Sequence, residues 1–482
     1  MKTICQKLCS LILSAALLCA VLPISADAVS QVPGVCQVQT DTGTTCSVKT
    51  LDQDYERNTY FSLRDIAMAL NGTDKSFSLE ITADAVSLNP GNVYIPVGTE
   101  NILWGEDDVP DTSLRRNEFK AGGQKVSYYT MIARLSSGYY DCFMMAADLA
   151  MILDVNLTAP GPGSLQIDTM DSFRVSPAAL EQEGYFYGVN SVLAGDATTG
   201  EIYYQYQADI AYPIASTSKL MTCLLTMDAI SSGLIAPADL VTVSDAVQAL
   251  ADSGDGVIPL KAGDQITVQD LLAGALLPSS NECALCLAET IAGSEENFVR
   301  LMDQKARELG LTQAVFYNSN GLPSYTDDPV PSKRQNRMSA QDMFRLVSYL
   351  LKVYPQVTDI TSLEKAPLES IGIEVRNTNP LLHNLPDITG LKTGTTNKAG
   401  ACLVTSLTAG DGNLEHDLVV IVLGTEDSVE RGRVSELLAR YALQAFQEGA
   451  EVSENEASQT PGNLPVHAEA AVDRILKTAG KQ

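Results

Sequence analysis

Histidine is almost missing from this chain, with only His383, His416 and His467 among 482 residues. Histidine is the commonest metal ligand and the usual general base near neutral pH. Its scarcity weighs against a zinc hydrolase and against a histidine-centred triad. Cationic residues are few as well: 32 Lys and Arg stand against 59 Asp and Glu, for a formal charge of −27. Nucleic-acid binding rests on neutralising phosphates, so this balance argues against DNA or RNA as a partner. Long apolar runs are confined to the first residues; beyond them nothing approaches the roughly 20 apolar residues of a membrane span. What is present, 45% hydrophobic and 19% charged residues, supplies packed cores and too little charge for general disorder. The length of 482 residues leads us to expect about three units.

Lys2 and Lys7 precede an apolar run from Leu8 to Leu22, and Ala26-Asp-Ala28 offers the small residues a signal peptidase reads. Residues 1–28 are therefore expected to be a signal peptide, cleaved after Ala28. Cys19 follows Leu17-Leu18 instead of a small residue, which disfavours a lipoprotein. The mature chain is expected to be secreted or extracytoplasmic, in contact with the cell envelope. The ten cysteines include Cys5, Cys9 and Cys19 of the leader. The odd number left over means at least one unpaired thiol. Cys36 and Cys46 flank a polar loop and can pair in an oxidising compartment. Cys283 and Cys286 form a C-x-x-C, but no second pair or nearby histidine completes a zinc site, and their helical surroundings read as buried core. No metal and no cofactor is expected.

Val29 to about Thr50 reads as a polar, linker-like entry. Within 51–168 lies an internal repeat: Tyr60-Phe-Ser-Leu-Arg-Asp-Ile-Ala-Met-Ala-Leu70 parallels Phe143-Met-Met-Ala-Ala-Asp-Leu-Ala-Met-Ile-Leu153, its aspartates at 65 and 148 being 83 positions apart. Each copy predicts a short helix followed by strand-like alternation, at Phe77–Ile81 and Ser164–Asp168. The pattern resembles the copper amine oxidase N-terminal-like module of exported bacterial wall proteins. The histidine-free region gives no reason to expect copper, and the resemblance implies a binding or spacer role, including contact with the cell wall. After Ala159-Pro-Gly-Pro-Gly163 the pattern changes. A strand pair is expected around Asp196-Ala-Thr-Thr-Gly200, helices dominate from Ser216 to about Val353, strands return from Gly390 to Gly424, and a last helix spans Arg431 to about Phe446. Strands at both ends of a helical region predict an α/β sandwich whose terminal segments share one sheet. Beyond Glu448 an acidic, unstructured stretch and a short helix over about 466–479 are expected. The divisions are thus 1–28, 29–170, 184–447 and 448–482.

Three short motifs carry the chemistry. Ser216-Thr-Ser-Lys219 opens an apolar-faced helix, which puts hydroxyl and amine on one face at its first turn. A serine nucleophile needs a base beside it and a place for an oxyanion. Ser279-Ser-Asn281 follows the apolar stretch Val268 to Leu277, and Lys392-Thr-Gly394 heads a strand ending near Ser406. The same Ser-x-x-Lys spacing at Ser362-Leu-Glu-Lys365 opens no such helix and is read as chance.

These motifs, in this order, are those of penicillin-binding proteins and class A β-lactamases. With Phe316-Tyr-Asn-Ser-Asn-Gly-Leu322, Asn377-Thr-Asn-Pro-Leu-Leu382 and Gly390-Leu-Lys-Thr-Gly-Thr-Thr-Asn-Lys-Ala-Gly400, the region from Gly184 to Phe446 resembles the exported serine-type D-alanyl-D-alanine carboxypeptidases. Ser280 replaces the glycine usual in that family, Thr395 stands where histidine or tyrosine is frequent, and the 36 residues after Phe446 leave no room for its β-rich C-terminal domain. The resemblance implies a penicillin-binding/β-lactamase-like α/β (α+β) transpeptidase domain with an antiparallel sheet and a helical subdomain, preceded by a small α+β repeat module. It implies Ser216 as nucleophile, neutral Lys219 as base with Lys392 as the neighbouring cation that keeps it neutral, Ser279 as proton relay and Asn281 as a backbone ligand. It also implies the N–H groups of Ser216 and Thr395 as oxyanion donors, Gly394 as the bare strand beside which substrate lies, and Thr393 and Thr395 as carboxylate ligands. The implied substrate is a peptidoglycan stem peptide, with β-lactams as covalent inhibitors. A β-lactamase needs in addition a water-activating glutamate, for which Glu374-Val-Arg-Asn377 is the nearest pattern, one residue short. A non-catalytic penicillin-binding or wall-binding protein is the alternative from another class.

Overall fold

In this computed structural model the described residues are 31–459 apart from 54–58, 84, 101, 105–114, 122–123, 162, 178–180, 182–184, 187, 326–331, 386 and 411–414. The expected signal peptide and the helix expected over 466–479 lie outside the described residues.

The first half is built on a ten-stranded sheet. Its strands are β1 (Gln31–Thr40), β2 (Thr45–Gln53), β3 (Thr59–Ser62), β4 (Phe77–Ile81), β5 (Ala85–Pro90), β6 (Arg115–Ala121), β7 (Gln124–Arg134), β8 (Tyr140–Met145), β9 (Asn156–Gly161) and β10 (Ser164–Asp168). They lie in the order β4-β5-β6-β7-β8-β3-β2-β1-β10-β9. The linker-like entry expected before Thr50 is instead the β1–β2 hairpin. In β1 polar residues alternate with buried Cys36 and Val38, while in β2 Val48, Lys49, Thr50 and Leu51 are buried in succession, a core the composition concealed. The register sets Cys36 opposite Val48 and Cys46 opposite Val38, and no disulfide joins them. The two repeat helices are α1 (Leu63–Ala69) and α2 (Ala146–Leu153), with Asp65 and Asp148 in their first turns as the repeat predicts. Ser62 caps α1 by accepting from the Asp65 N–H.

The second half has a five-stranded antiparallel sheet ordered β12-β11-β15-β14-β13. The strands are β11 (Ser191–Asp196), β12 (Glu201–Tyr206), β13 (Ile388–Thr396), β14 (Gly400–Gly410) and β15 (Glu415–Thr425). The β11–β15 pairing joins the two ends of the unit in one sheet, as the strand–helix–strand pattern predicts. Leu418 to Leu423 are all buried, an unbroken apolar run of the kind a sheet covered on both faces demands. Side chains alternate between two cores. Val419, Ile421 and Leu423 meet helices α3 (Lys219–Ser231), α4 (Val268–Leu276), α5 (Asn281–Ala292), α6 (Glu295–Glu308) and α7 (Ala340–Val353). Leu418, Val420 and Val422 meet the terminal helix α8 (Ser428–Gln459). This second core does not stop at α8; it runs on without a break into the apolar interior of the N-terminal unit, through Leu149, Phe143 and Ile66.

Helix α8 extends to Gln459, beyond the end expected near Phe446. The acidic stretch after Glu448 is rich in Glu, Ala and Gln, which favour helix, so it prolongs α8 where an unstructured segment was expected. Cys283 and Cys286 are buried, unpaired, on α5. No helix among the described residues is long and apolar enough to cross a membrane.

Candidate active site

The local backbone at Ser216 differs from a plain helix start. Ala215–Ser218 form one 3-10 turn, and α3 begins only at Lys219. In a 3-10 turn residues three apart eclipse, which brings Ser216 and Lys219 together more closely than an α-turn does. Ala215 sits at φ 47°, a left-handed conformation costly for a residue with a β-carbon and characteristic of strained functional turns. From Pro213 to Met227 only Ser216 is half-buried and the rest are buried, so it is the most exposed residue of the segment.

Lys219 is 1% exposed and its Nζ lies 2.9 Å from Ser216 Oγ, 2.9 Å from Asn281 Oδ1 and 2.9 Å from the Asn320 carbonyl. The Asn281 amide is oriented by its Nδ2, which donates to the Asp255 carbonyl at 2.8 Å. Two of the amine's three neighbours are therefore pure acceptors. A neutral amine has two N–H bonds and one lone pair; with both N–H bonds given to Asn281 and Asn320, the lone pair faces the Ser216 hydroxyl. Burial pushes the Lys219 amine down to about 7, partly opposed by the nearby Glu282 carboxylate. The sequence leads us to expect burial and the Lys392 cation pushing the same way. Desolvation is the leading cause at Lys219, while the charges of Lys219 and Arg431 add to burial in holding Lys392 well below the usual lysine range.

Asn320 is held by its own loop. Asn318 Oδ1 accepts the Gly321 N–H at 2.7 Å, and Glu295 at the start of α6 accepts from the Ser319 N–H at 2.9 Å and its hydroxyl at 2.6 Å. A β-carbon on Gly321, at φ 88°, would fall 1.9 Å from the Ala215 carbonyl oxygen, so only glycine lets this loop press on the nucleophile's turn. Glu282 is fully buried, and its Oε1 accepts the N–H groups of Val257 and Ile258. With Asn281 on Asp255, it fastens the 255–258 segment beside the amine. Ser279 occupies the α4–α5 turn at φ 69°, half-buried, two residues from Asn281.

Strand β13 is the edge of its sheet. Lys392 pairs with Val404 and Gly394 with Cys402, residues of the helical-side core, so these two face α3. A β-carbon on Gly394 would stand 2.8 Å from Ser216 N and 2.9 Å from Thr217 N. Its absence is what allows strand and nucleophile turn to touch. Thr393 and Thr395, of opposite parity, turn away. Thr393 Oγ1 meets Thr378 Oγ1 at 2.5 Å, and Thr395 Oγ1 accepts from Arg431 Nη1 at 3.3 Å.

The chain thus brings Ser216, Lys219, Asn281, Lys392 and Gly394 together from four separate elements, with the Thr395 side chain on the other face of β13 against Arg431. The family profile described as D-alanyl-D-alanine carboxypeptidase, peptidase S11, matches residues 187–427, half of the chain. The chain belongs to the S11 family. A D-alanyl-D-alanine carboxypeptidase of Bacillus subtilis, DacF, is 32% identical over 252 residues, 52% of this chain and 60% of the relative. A D-alanyl-D-alanine endopeptidase of Pseudomonas aeruginosa is 32% identical over 250 residues, 50% of this chain and 74% of the relative. Among solved structures, a peptidoglycan synthesis regulatory factor (PBP3) from Streptococcus pneumoniae is 32% identical, covering 53% of this chain and 71% of that one at a TM-score of 0.49. The chain spans 60% of the length of the Bacillus relative. The S11 unit of this chain is the mixed α/β, penicillin-binding and β-lactamase-like fold that the motifs imply.

Sequence reasoning missed Arg431, Glu282, Thr378 and the role of the Asn320 carbonyl. A signal for the first was available. Glu430-Arg-Gly-Arg433 puts two cations in the opening turns of α8, where the helix dipole disfavours them, and such a local conflict marks a tertiary demand. The glutamate considered for a β-lactamase, Glu374, is paired with Lys365 at 3.0 Å, both half-exposed.

Proposed function

We propose that this protein is a serine-type D-alanyl-D-alanine carboxypeptidase that removes the terminal D-alanine from peptidoglycan stem peptides. The observation that carries the reading is the geometry of Lys219, whose Nζ lies 2.9 Å from Ser216 Oγ with two carbonyl acceptors as its other partners, an arrangement in which a neutral amine turns its lone pair to the hydroxyl. Ser216 loses its proton to Lys219 as Oγ attacks the carbonyl between the two D-alanines. The tetrahedral oxyanion is held by the N–H groups of Ser216 and Thr395, each such donor contributing about 3 kcal/mol. Ser279 passes the proton on to the departing D-alanine nitrogen, the C–N bond breaks, and an ester on Ser216 remains for water to hydrolyse. Substrate lies along the edge of β13 as an added strand, with Asn281 on its backbone. Thr393, Thr395 and Arg431 receive the terminal carboxylate, and the guanidinium gives that end its charge complement. Glu374 is engaged with Lys365 at the surface, so the β-lactamase reading gains no support.

Residues 1–28 serve as the export signal, and the mature chain works outside the cytoplasm against the wall. Residues 29–170 form the module resembling the copper amine oxidase N-terminal domain. The paired helices and strands around Asp65 and Asp148 support that likeness, and wall contact through this module is part of the proposal.

Incubation with benzylpenicillin, followed by intact mass over time, tests the activity. A long-lived adduct that vanishes in Ser216→Ala supports the carboxypeptidase. Rapid turnover indicates a β-lactamase, and no adduct a binding protein. Release of D-alanine from a stem pentapeptide then separates an enzyme from a receptor that is merely acylated.

A further inference from the structure

The internal repeat holds one asymmetry that the proposed activity leaves unexplained. In the first copy, Asp65 is answered from within the module: Lys49 Nζ donates to its two carboxylate oxygens at 2.8 and 2.9 Å, and the Lys49 N–H donates to Oδ2 at 2.8 Å. In the second copy Asp148 has no such lysine. Its buried carboxylate takes the hydroxyl of Tyr185, and its cation is Arg433 of α8, with Nη1 at 4.0 Å. Burial pushes the Asp148 carboxyl up, and the Arg433 charge works against that rise. Arg433 is held by three further contacts. Its guanidinium lies 4.0 Å over the Tyr185 ring, its Nη1 donates to Met145 Sδ at 3.3 Å, and its Nη2 donates to Glu430 at 2.8 Å. Two residues earlier on the same helix, Arg431 donates to Thr395 on the active-site strand. Asp427 fixes the start of that helix by accepting the N–H groups of Val429 and Glu430.

We infer that the second repeat copy is a socket that sets the active site: Asp148, Tyr185 and Met145 hold Arg433, and through the first turns of α8 they position Arg431 for a substrate carboxylate at Thr395. The residues of the socket are positioning residues, since none of them reaches the cleft. The N-terminal unit is then a part of the carboxylate pocket, not a tethered spacer, and the aspartate that the repeat preserves in both copies has two uses, internal closure in one and docking in the other. The inference rests on the proposed acyl-enzyme activity.

The test compares acylation of the full-length protein by benzylpenicillin and by its methyl ester, which lacks the carboxylate. In the wild type the free acid reacts faster, and Arg431→Gln sets the ratio expected when the guanidinium is lost. The paired substitution Asp148→Leu with Arg433→Met replaces the buried pair by apolar groups of similar volume, a change that generally keeps the fold. It is expected to lower the acid-to-ester ratio about ten-fold, within the range of couplings carried through packed elements, with the ester rate unmoved. Asp148→Asn, which keeps the side-chain shape, is expected to lower the ratio about three-fold. An unchanged ratio in either variant, or equal loss of both rates, overturns the socket. A wild-type protein acylated by neither compound overturns the proposed activity instead.

Discussion

Three lysines among the described residues are almost fully buried, Lys49, Lys219 and Lys392, and the first two have been put to opposite uses. Lys49, 2% exposed, lies against the carboxylate of Asp65 in the first repeat copy. Lys219, 1% exposed, lies against a hydroxyl and two carbonyl oxygens. Of the two, only Lys49 has an anion in contact, and at Lys219 burial lowers the amine. An ammonium paired with a carboxylate is an element of architecture; an amine surrounded by neutral acceptors becomes a base, with its proton affinity drawn down to about 7. Burial therefore decides little about a lysine until its neighbours are named.

The sharpest way to break this contrast is to remove the base. Lys219→Met should slow acylation of Ser216 by penicillin about a thousand-fold, the scale of a lost general base, while the unfolding midpoint shows the protein still folded. In the intact protein the acylation rate should climb with pH along a limb centred near 7, because protonation below it removes the lone pair that Ser216 needs. A rate flat from pH 5.5 to 8.5 would sink that assignment. Giving Lys219 the kind of partner Lys49 has is the next test. Asn281→Asp should carry the limb to higher pH by about one to three units and depress the rate at neutral pH accordingly. On the other side, Asp65→Ala leaves Lys49 buried without its anion and should destabilise the module by about 3–5 kcal/mol, read from denaturant unfolding. The smallest effect is expected at the surface. Glu374→Gln breaks an exposed pair and should change stability by less than about 1 kcal/mol, with the lifetime of the penicillin adduct unaltered.

Much of this molecule was legible before its fold was known, where the information is local. Ser216 and Lys219 share one turn, the repeat copies announce their helices by spacing, and Leu418 to Leu423 is apolar enough to demand cover on both faces. The β1–β2 hairpin escaped notice because its buried residues are spaced among glutamines and threonines, which mimic a loop. The length of α8 was misjudged because acidic composition was weighed above the helix-favouring character of Glu and Ala.

Order along the chain thus determined that Ser216 and Lys219 share one turn and that strands flank a helical region, since both follow from spacing and pattern along the chain. Only the tertiary structure decided which groups surround them: the Asn320 carbonyl 101 positions from Lys219, Arg431 at Thr395, and Arg433 reaching back 288 positions to Met145. Contacts of that range leave no period in a sequence. They arise when separate elements share one core, and here the outer face of the catalytic sheet, α8 and the N-terminal unit do share one.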